Sequence, residues 1–337
     1  MTATPAAVPA PGPAGGWVAS WRQNRWARFA LRRTARLLVS LWVLVTASFL
    51  MIHLVPGDPV RAALGPTAPA DLVAQTRTDL GLDDPLLVQY WHFLTGLFHG
   101  DLGTSIGDRL PVGQVIGQRL PATAELAVSA FVLAVAIAIP LGVAVAVLTR
   151  RGRGRRLELG FASLSVVIGT IPDFLLGVAL VYVFAVHLHA LPVAGRDGLS
   201  SYILPVVALA LGPAAVLARI VRVELLAVLE TDYIRTARAK RLPGMRIHLV
   251  HALPNAVTAT LTLGGMLLSS MVAGTVLVEN VFAWPGLGST IVSSIVTKDY
   301  PLVQGTVLVY GVGVLLINTL VDVVLALIDP RSTIGES

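Results

Sequence analysis

Chemistry in this chain would have to start from a few scattered groups. Two histidine pairs, His187-x-His189 and His248-x-x-His251, have spacings that can hold a metal ion, and Asp173 stands in Ile171-Pro172-Asp173-Phe174 within a long apolar run. Protein zinc sites add thiolates or further imidazoles, or use His-Glu-x-x-His. Neither pair has such company, and the chain holds no cysteine. Disulfides, thiolate metal centres, iron–sulfur clusters and cysteine nucleophiles are therefore excluded. The histidines read as interfacial or outer-loop side chains, and no metal is expected. No Gly-x-x-x-x-Gly-Lys-Ser/Thr loop occurs, so the chain does not cradle ATP in the usual way. Gly311-Val312-Gly313 lies in an apolar run with no strand before it, which suits close helix packing and not dinucleotide binding. No nucleophile–base pair stands out, and no catalytic role is expected.

The elements that must carry these groups are membrane spans. Of 337 residues, 55% are hydrophobic and only 13% charged, against about 25% charged in an ordinary soluble domain. A hydrocarbon layer of about 30 Å needs about 20 apolar residues in a helix. Six stretches qualify: 37–55, 122–148, 159–186, 203–221, 257–280 and 303–328. The expected fold is thus an all-α polytopic membrane protein with six transmembrane helices. An Ala/Pro/Gly-rich leader, 1–21, is expected to be disordered. A basic approach, 22–36, precedes a first apolar run too long for a secretory signal. The membrane domain then covers 37–332, with a short tail at 333–337.

Charge sorts by side. The N-terminus, 149–158, 222–256 and the C-terminus hold 18 Lys/Arg against 6 acidic residues, whereas 56–121, 187–202 and 281–302 hold 6 against 9. The positive-inside rule puts both termini in the cytoplasm. The net charge of +6 therefore faces membrane lipid and cytosolic partners, and no nucleic acid is expected.

Carboxylates inside spans are costly. Asp173 suits either a polar pathway or a hydrogen bond to a carbonyl freed by Pro172; Asp322 suits a helix contact shared with Asn318. The large outer segment, 56–121, has short helical patterns at Asp71–Leu80 and from Leu86, and could be a lid or a docking surface. Its acidic residues Asp71, Asp79, Asp83 and Asp84 could steer a basic partner. On the inner side, Asp232 suits an N-cap for a short helix from Tyr233 to Leu242 that Pro243-Gly244 would break. Tyr233, Ala237 and Arg241 share one side at helical spacing, with Arg235, Arg238 and Lys240 elsewhere.

Several motifs in order now resemble one family. Leu54-Val55-Pro56-Gly57-Asp58-Pro59, Leu80-Gly81-Leu82-Asp83-Asp84-Pro85, Gly100-Asp101-Leu102-Gly103-Thr104-Ser105, Leu191-Pro192-Val193-Ala194-Gly195, Val281-Phe282-Ala283-Trp284-Pro285-Gly286-Leu287-Gly288 and Asp329-Pro330-Arg331 are among them. Over about 30–332 the chain is similar to dipeptide/oligopeptide/nickel permeases of ABC importers, and the long outer segment resembles the first (B-type) subunit. The resemblance implies a type I ABC importer permease fold in a bacterial plasma (inner) membrane. It implies a second homologous permease, two cytoplasmic ATPase subunits or one of each of two types, and an extracytoplasmic solute-binding protein. No cofactor belongs to this chain; ATP and Mg would sit on the ATPases.

The substrates implied are dipeptides or oligopeptides, with a nickel chelate or glutathione as the alternative. A secondary transporter would need paired broken spans in two similar halves, and none are evident. By the same resemblance, 231–255 is the loop that couples to an ATPase, with Asp232, Tyr233, Arg235, Thr236, Ala237, Arg238, Lys240 and Arg241 as contact residues. Asp173 and Phe174 are expected on the translocation path. Arg241 stands where the family has glycine, so Pro243-Gly244 is expected to take over the turn, leaving Arg241 to pair with an acidic residue of the ATPase.

Overall fold

The computed structural model of the protein describes residues 25–54, 58–65, 67–79, 81–152 and 154–328. The leader 1–21, Arg22, Val55-Pro56-Gly57, Leu80, Arg153, Asp329-Pro330-Arg331 and the tail 333–337 lie outside them. Among the described residues the fold is helical, and its sole β feature is an isolated bridge between Thr104 and Pro111.

A long first helix, α1 (Arg25–Leu54), leads to the outer segment with α2 (Pro59–Leu64), α3 (Ala70–Asp79) and α4 (Leu86–His99). Next come α5 (Val112–Leu148), α6 (Arg155–Thr170) and α7 (Asp173–Leu180), the last continuing as a π-helical stretch, Val181–His187. Then follow α8 (Ser200–Leu229), the short α9 (Asp232–Ala239), a π-helical turn (Ile247–Ala252), α10 (Leu253–Val281), α11 (Leu287–Thr297) and α12 (Tyr300–Ile328).

Among these residues, α1, α5, α8, α10 and α12 each contain a stretch long and apolar enough to cross a membrane. The stretch expected as one continuous span, 159–186, is not a single helix. It is a broken pair, α6 and α7 through His187, bent by 98°. Proline lacks an N–H and disfavours a helical residue before it. Ile171 is accordingly extended, with φ −69 and ψ 124, and Pro172 sits just before α7. Pro121, Pro140, Pro205 and Pro213 remain inside their helices. Helix α5 also starts at Val112, well before the expected 122, so the outer segment feeds directly into it.

The centre of the bundle is α5 against α8. Ala122, Leu126, Ala130, Ala134 and Ala138 recur every fourth residue of α5 and are fully buried, and Ala208, Ala218, Val221, Leu225 and Leu229 answer from α8. Small residues let two backbones approach where lipid supplies no hydrophobic drive between helices. At Gly142 a Cβ would stand 2.6 Å from the Ala218 carbonyl oxygen and 2.7 Å from Val221 Cβ. Helix α12 closes the bundle against α1 and α10. Asp322 pairs with Arg33 of α1, while Asn318 Oδ1 accepts from Ser269 Oγ at 2.6 Å. Arg33 also donates to Asn318 O at 3.2 Å, so Asp322 and Asn318 share the expected helix contact, with Arg33 of the basic approach as their partner on α1.

The outer segment is ordered by its own motifs. Asp58 caps α2 through Val60 N at 3.0 Å and meets Arg77 at 3.3 Å, while Arg77 Nε also binds Asp83 at 2.9 Å. Although burial opposes it, the Val60 and Arg61 amides together with Arg77 hold the Asp58 carboxyl below its ordinary range. Gln89 donates to the carbonyls of Leu82 at 3.2 Å and Asp84 at 2.7 Å, which fixes the entry to α4. Asp299, buried at the start of α12, accepts from the Ser105 hydroxyl and from the amides of Ile106 (3.2 Å) and Gly107 (3.0 Å). One carboxylate thereby staples the end of the outer segment to the last helix.

Candidate functional site

Three groups of residues stand out between the two faces of the molecule. On the basic side, α9 leaves Asp232, Tyr233, Arg235, Thr236, Ala239 and Lys240 exposed and turns Ile234 inward, where it is fully buried. Ala237 and Leu242 pack on the same inner cluster as Leu225, Leu229, Ile247 and Ala252. The side shared by Tyr233, Ala237 and Arg241 is therefore not one outward face. Ala239, not Ala237, is the small residue on the exposed side.

Asp232 does not cap the helix. Thr231 precedes it in extended conformation, and its hydroxyl donates upstream to Val228 O at 2.6 Å. Asp232 opens the helix and its carboxylate pairs with Arg235 at 3.0 Å. Arg238 reaches back to Leu229 O at 3.0 Å. The Tyr233 hydroxyl accepts from Asn255 Nδ2 at 2.9 Å and lies 3.4 Å from the His251 carbonyl, joining α9 to the π-helical turn. On that turn the His251 ring Nε2 is buried without a hydrogen-bond partner among the described residues. Burial first, and then Arg150 and Arg238, hold the His248 imidazole below its ordinary range, toward the neutral form.

The end of α9 differs from the expected Pro243-Gly244 turn. Arg241 adopts φ +55, its N–H donates to Arg238 O at 2.9 Å, and Leu242 N–H donates to Ala237 O at 3.3 Å. This pair of bonds is the Schellman ending, whose left-handed position usually takes glycine. Arg241 occupies the glycine's place in the same turn.

Asp173 is the first residue of α7, directly after the break. Its carboxylate oxygens lie 3.3 Å from where a Cβ of Gly212 would stand and 3.1 Å from that of Gly274. Two glycines, one on α8 and one on α10, thus leave it room. The side chain is half-buried and has no hydrogen bond or ion pair among the described residues, so no bond to a carbonyl freed by Pro172 is made. Phe174 beside it is likewise only partly buried.

Near the end of α10, Glu279 is fully buried. Its Oε1 accepts from Thr123 Oγ1 of α5 at 2.7 Å and its Oε2 from Ser289 N at 3.0 Å. Thr123 Oγ1 accepts from Leu287 N at 2.8 Å, and Trp284 Nε1 donates to Ala122 O at 2.9 Å. Gly286, at the N-cap of α11, has no side chain to cap it, and Glu279 and Thr123 supply that function from two other helices. A Cβ at Gly286 would strike the Glu279 carboxylate, and one at Gly288 would meet Val276 Cα at 2.5 Å. Sequence reasoning missed Glu279 as a structural centre; its signal was a carboxylate at a span's edge a few residues before Trp-Pro-Gly-Leu-Gly.

The acidic residues Asp71, Asp79, Asp83 and Asp84 are all exposed on the outer segment, but Asp83 is engaged by Arg77. Below them a cavity of about 250 Å³ is walled by Phe49, Leu82, Phe93, Leu102 and Tyr300 among others, remote in sequence from Asp173 and α9. Gly103-Thr104-Ser105-Ile106-Gly107 also carries the Gly-x-Ser-x-Gly spacing of a hydrolase elbow. Ser105 is buried and bonded to Asp299, with no histidine hydrogen-bonded to it, so it is a structural serine. Among the described residues no three metal-binding side chains gather, and the two histidine pairs stay apart on different π-helical stretches or their edges.

Among the described residues, apolar spans surround an unpartnered carboxylate, with a short helix on the basic side. Residues 138–334 match the family described as the binding-protein-dependent transport system inner membrane component. The chain belongs to that family of ABC-importer permeases. Residues 26–127 match the N-terminal component of the same transport system. The permease is 40% identical over 302 residues to the glutathione transport system permease protein GsiC of Salmonella typhimurium, covering 90% of this chain and 97% of that one. It is 40% identical over 303 residues to GsiC of Pectobacterium atrosepticum, at the same coverage, and 37% identical over 302 residues to that of Escherichia coli strain K12. The inward-facing MetNI methionine ABC transporter shares the fold, with TM-score 0.55 and 19% identity over 64% of this chain and 97% of that chain. This is a multi-pass inner-membrane permease of the type I fold, a membrane component and not a catalytic one, from a family that works with ATPases and binding proteins.

The left-handed Arg241 generates a stability prediction. A non-glycine residue there is strained by about 1–2 kcal/mol, partly offset by glycine's greater freedom in the unfolded chain. Arg241→Gly is expected to slow amide exchange of 232–242 by about threefold, and Arg241→Val to speed it. Faster exchange in Arg241→Gly would contradict the strain.

Proposed function

We propose that this permease forms half of the translocation path for short peptides, dipeptides or oligopeptides, delivered by an extracytoplasmic binding protein. A second homologous permease forms the other half. Two ATPases, alike or one of each type, bind ATP and Mg on the cytoplasmic side, where both termini of this chain lie. The observation that carries the substrate class is the 40% identity to glutathione permeases over 90% of the chain; glutathione is itself a tripeptide and falls within the class.

Asp173 acts in the path as a counter-charge for a peptide ammonium. Its lack of a partner, and the glycines that leave space on either side of it, support this role. An unpaired carboxylate in a dry passage is costly, and a passing cation relieves that cost without a tight site forming. Phe174 lines the same turn. The segment 56–121 receives the binding protein, with Asp71, Asp79 and Asp84 as the steering charges and Asp83 held back by Arg77.

The loop 231–255 couples the permease to an ATPase. Helix α9 offers Asp232, Tyr233, Arg235, Thr236 and Lys240 outward for this contact. Ala237 and Arg238 anchor the helix to the permease, and Arg241 shapes its end.

Two variants of the assembled transporter in proteoliposomes test this. Asp173→Asn is expected to lower ATP-dependent peptide uptake about tenfold, equivalent to ~1.4 kcal/mol, with the complex still assembled. Normal uptake across several peptides would remove Asp173 from the path. Ala239→Trp should leave the permease folded and ATP hydrolysis measurable while uptake falls, because a bulky side chain wedges the exposed contact. Wild-type coupling in Ala239→Trp would refute α9 as the joint, and failure of the parent complex to take up any peptide would refute the substrate class.

A further inference from the structure

Glu125 of α5 meets Arg196 and Tyr202, six residues apart at the approach to α8, on one carboxylate oxygen. Arg196 Nη2 lies 2.5 Å from Glu125 Oε2, and the Tyr202 hydroxyl donates to that same oxygen at 2.9 Å. Arg196 Nε donates to the Tyr202 hydroxyl oxygen at 3.1 Å. Beneath them lies Trp284, whose ring stands edge-on to Tyr202 at 4.6 Å and 5.8 Å from the guanidinium carbon. Gly195 N–H donates to Phe282 O at 2.9 Å, which pins the Arg196 loop to the hairpin carrying Trp284. The Tyr202 hydroxyl, then Glu125, hold the guanidinium above its ordinary range and so fully charged.

The bundle does not depend on this ion pair. Its side chains are 33% and 46% exposed, and exposed pairs contribute between nothing and about 1 kcal/mol. What the surroundings do fix is the aromatic floor, since Trp284 is fully buried and hydrogen-bonded to Ala122 O. Two opposite charges are thus held over a rigid apolar surface in a contact that opens at little cost. Their place is also telling. Tyr202 lies ten residues, about 15 Å of helix, outward from Gly212, the α8 glycine that makes room for Asp173.

We propose that Glu125, Arg196 and Tyr202 form an outer selectivity site that recognises both charged ends of a short zwitterionic peptide. The proposal rests on the peptide-importer reading and deepens it. Arg196 takes the carboxylate and Glu125 the ammonium, while Tyr202 stays hydrogen-bonded to Glu125. A dipeptide is about 7 Å long when extended, a gap that the long Arg196 side chain opens by swinging away from Glu125. Exchange of one internal pair for two external pairs leaves every charge matched. A ligand blocked at either end leaves Glu125 or Arg196 unpaired, and discrimination comes from that penalty.

The test uses the complete transporter with Val128→Cys in this chain. Val128 lies one turn from Glu125 on the same side of α5, is 59% exposed, and its replacement is the only thiol in a chain without cysteine. Reaction with a charged methanethiosulfonate is expected to slow about threefold in ~20 mM dialanine, as for a site of ~10 mM affinity. N-acetyl-dialanine amide should not slow it. Protection should vanish with Arg196→Gln and return with Arg196→Lys. Equal protection by the blocked peptide, no protection by dialanine, or no reaction with the charged reagent would each overturn the site. ATP-dependent dialanine uptake on the same preparation separates the failures. Uptake without protection overturns this site and leaves the importer reading; no uptake of any peptide overturns that reading and this proposal with it.

Discussion

A carboxylate sealed inside a membrane protein must find all its partners within the protein, and Glu279 finds them on two other helices. It accepts from Thr123 of α5 and from Ser289 in the first turn of α11. The bonding works in both directions. The first amides of α11 would otherwise be unpaired donors where no water reaches, and Glu279 would otherwise be an uncompensated charge. Trp284 and Leu287 are placed by the same set of contacts, through Ala122 O and Thr123 Oγ1. The outer half of the molecule inherits its geometry from there. The Phe282 carbonyl receives Gly195, the Trp284 ring supports Tyr202, and Arg196 settles over both.

Close approach of backbones makes this arrangement attainable. The alanine stripe of α5 brings it against α8, and Gly286 and Gly288 let the hairpin lie directly on Glu279 and Val276. The inner half follows different physics. There α9 is held by buried Ile234, by Ala237 and Leu242 on the same cluster, by Arg238 on Leu229 O and by a glycine-type turn occupied by Arg241, and Arg222 of α8 ties to Glu158 of α6 at 2.6 Å.

Much of this was legible in the chain. Apolar runs of sufficient length located the crossings because lipid enforces a simple rule on length, and the motifs identified the family. The short inner helix was legible from its local polar pattern, but its end was not, because Arg241 closes it in a glycine-type turn before Pro243-Gly244 is reached. What was not legible depends on partners distant in sequence. The break at Pro172 could not be separated from the tolerated prolines at 121, 140, 205 and 213, since neighbouring helices decide which freed backbone groups are satisfied again. Asp232 looked like a cap until Thr231 took the extended position, and Ala237 looked outward until Leu242 and Ile247 covered it. Glu279 and Asp299 were single acidic letters, each with a hydroxyl partner, Thr123 and Ser105, more than 150 positions away.

The dependence on Glu279 is tested most directly by amide hydrogen exchange across the chain in Glu279→Gln, a change of one oxygen for an NH₂. The amide nitrogen cannot accept from Ser289, so a buried donor is left unpaired at a cost of about 1–3 kcal/mol. Residues 287–297 should then exchange at least ~5-fold faster, while 232–239 in α9 keep the parental rate. Unchanged protection of 287–297 would contradict the account, because the outer hairpin would then be held by packing alone.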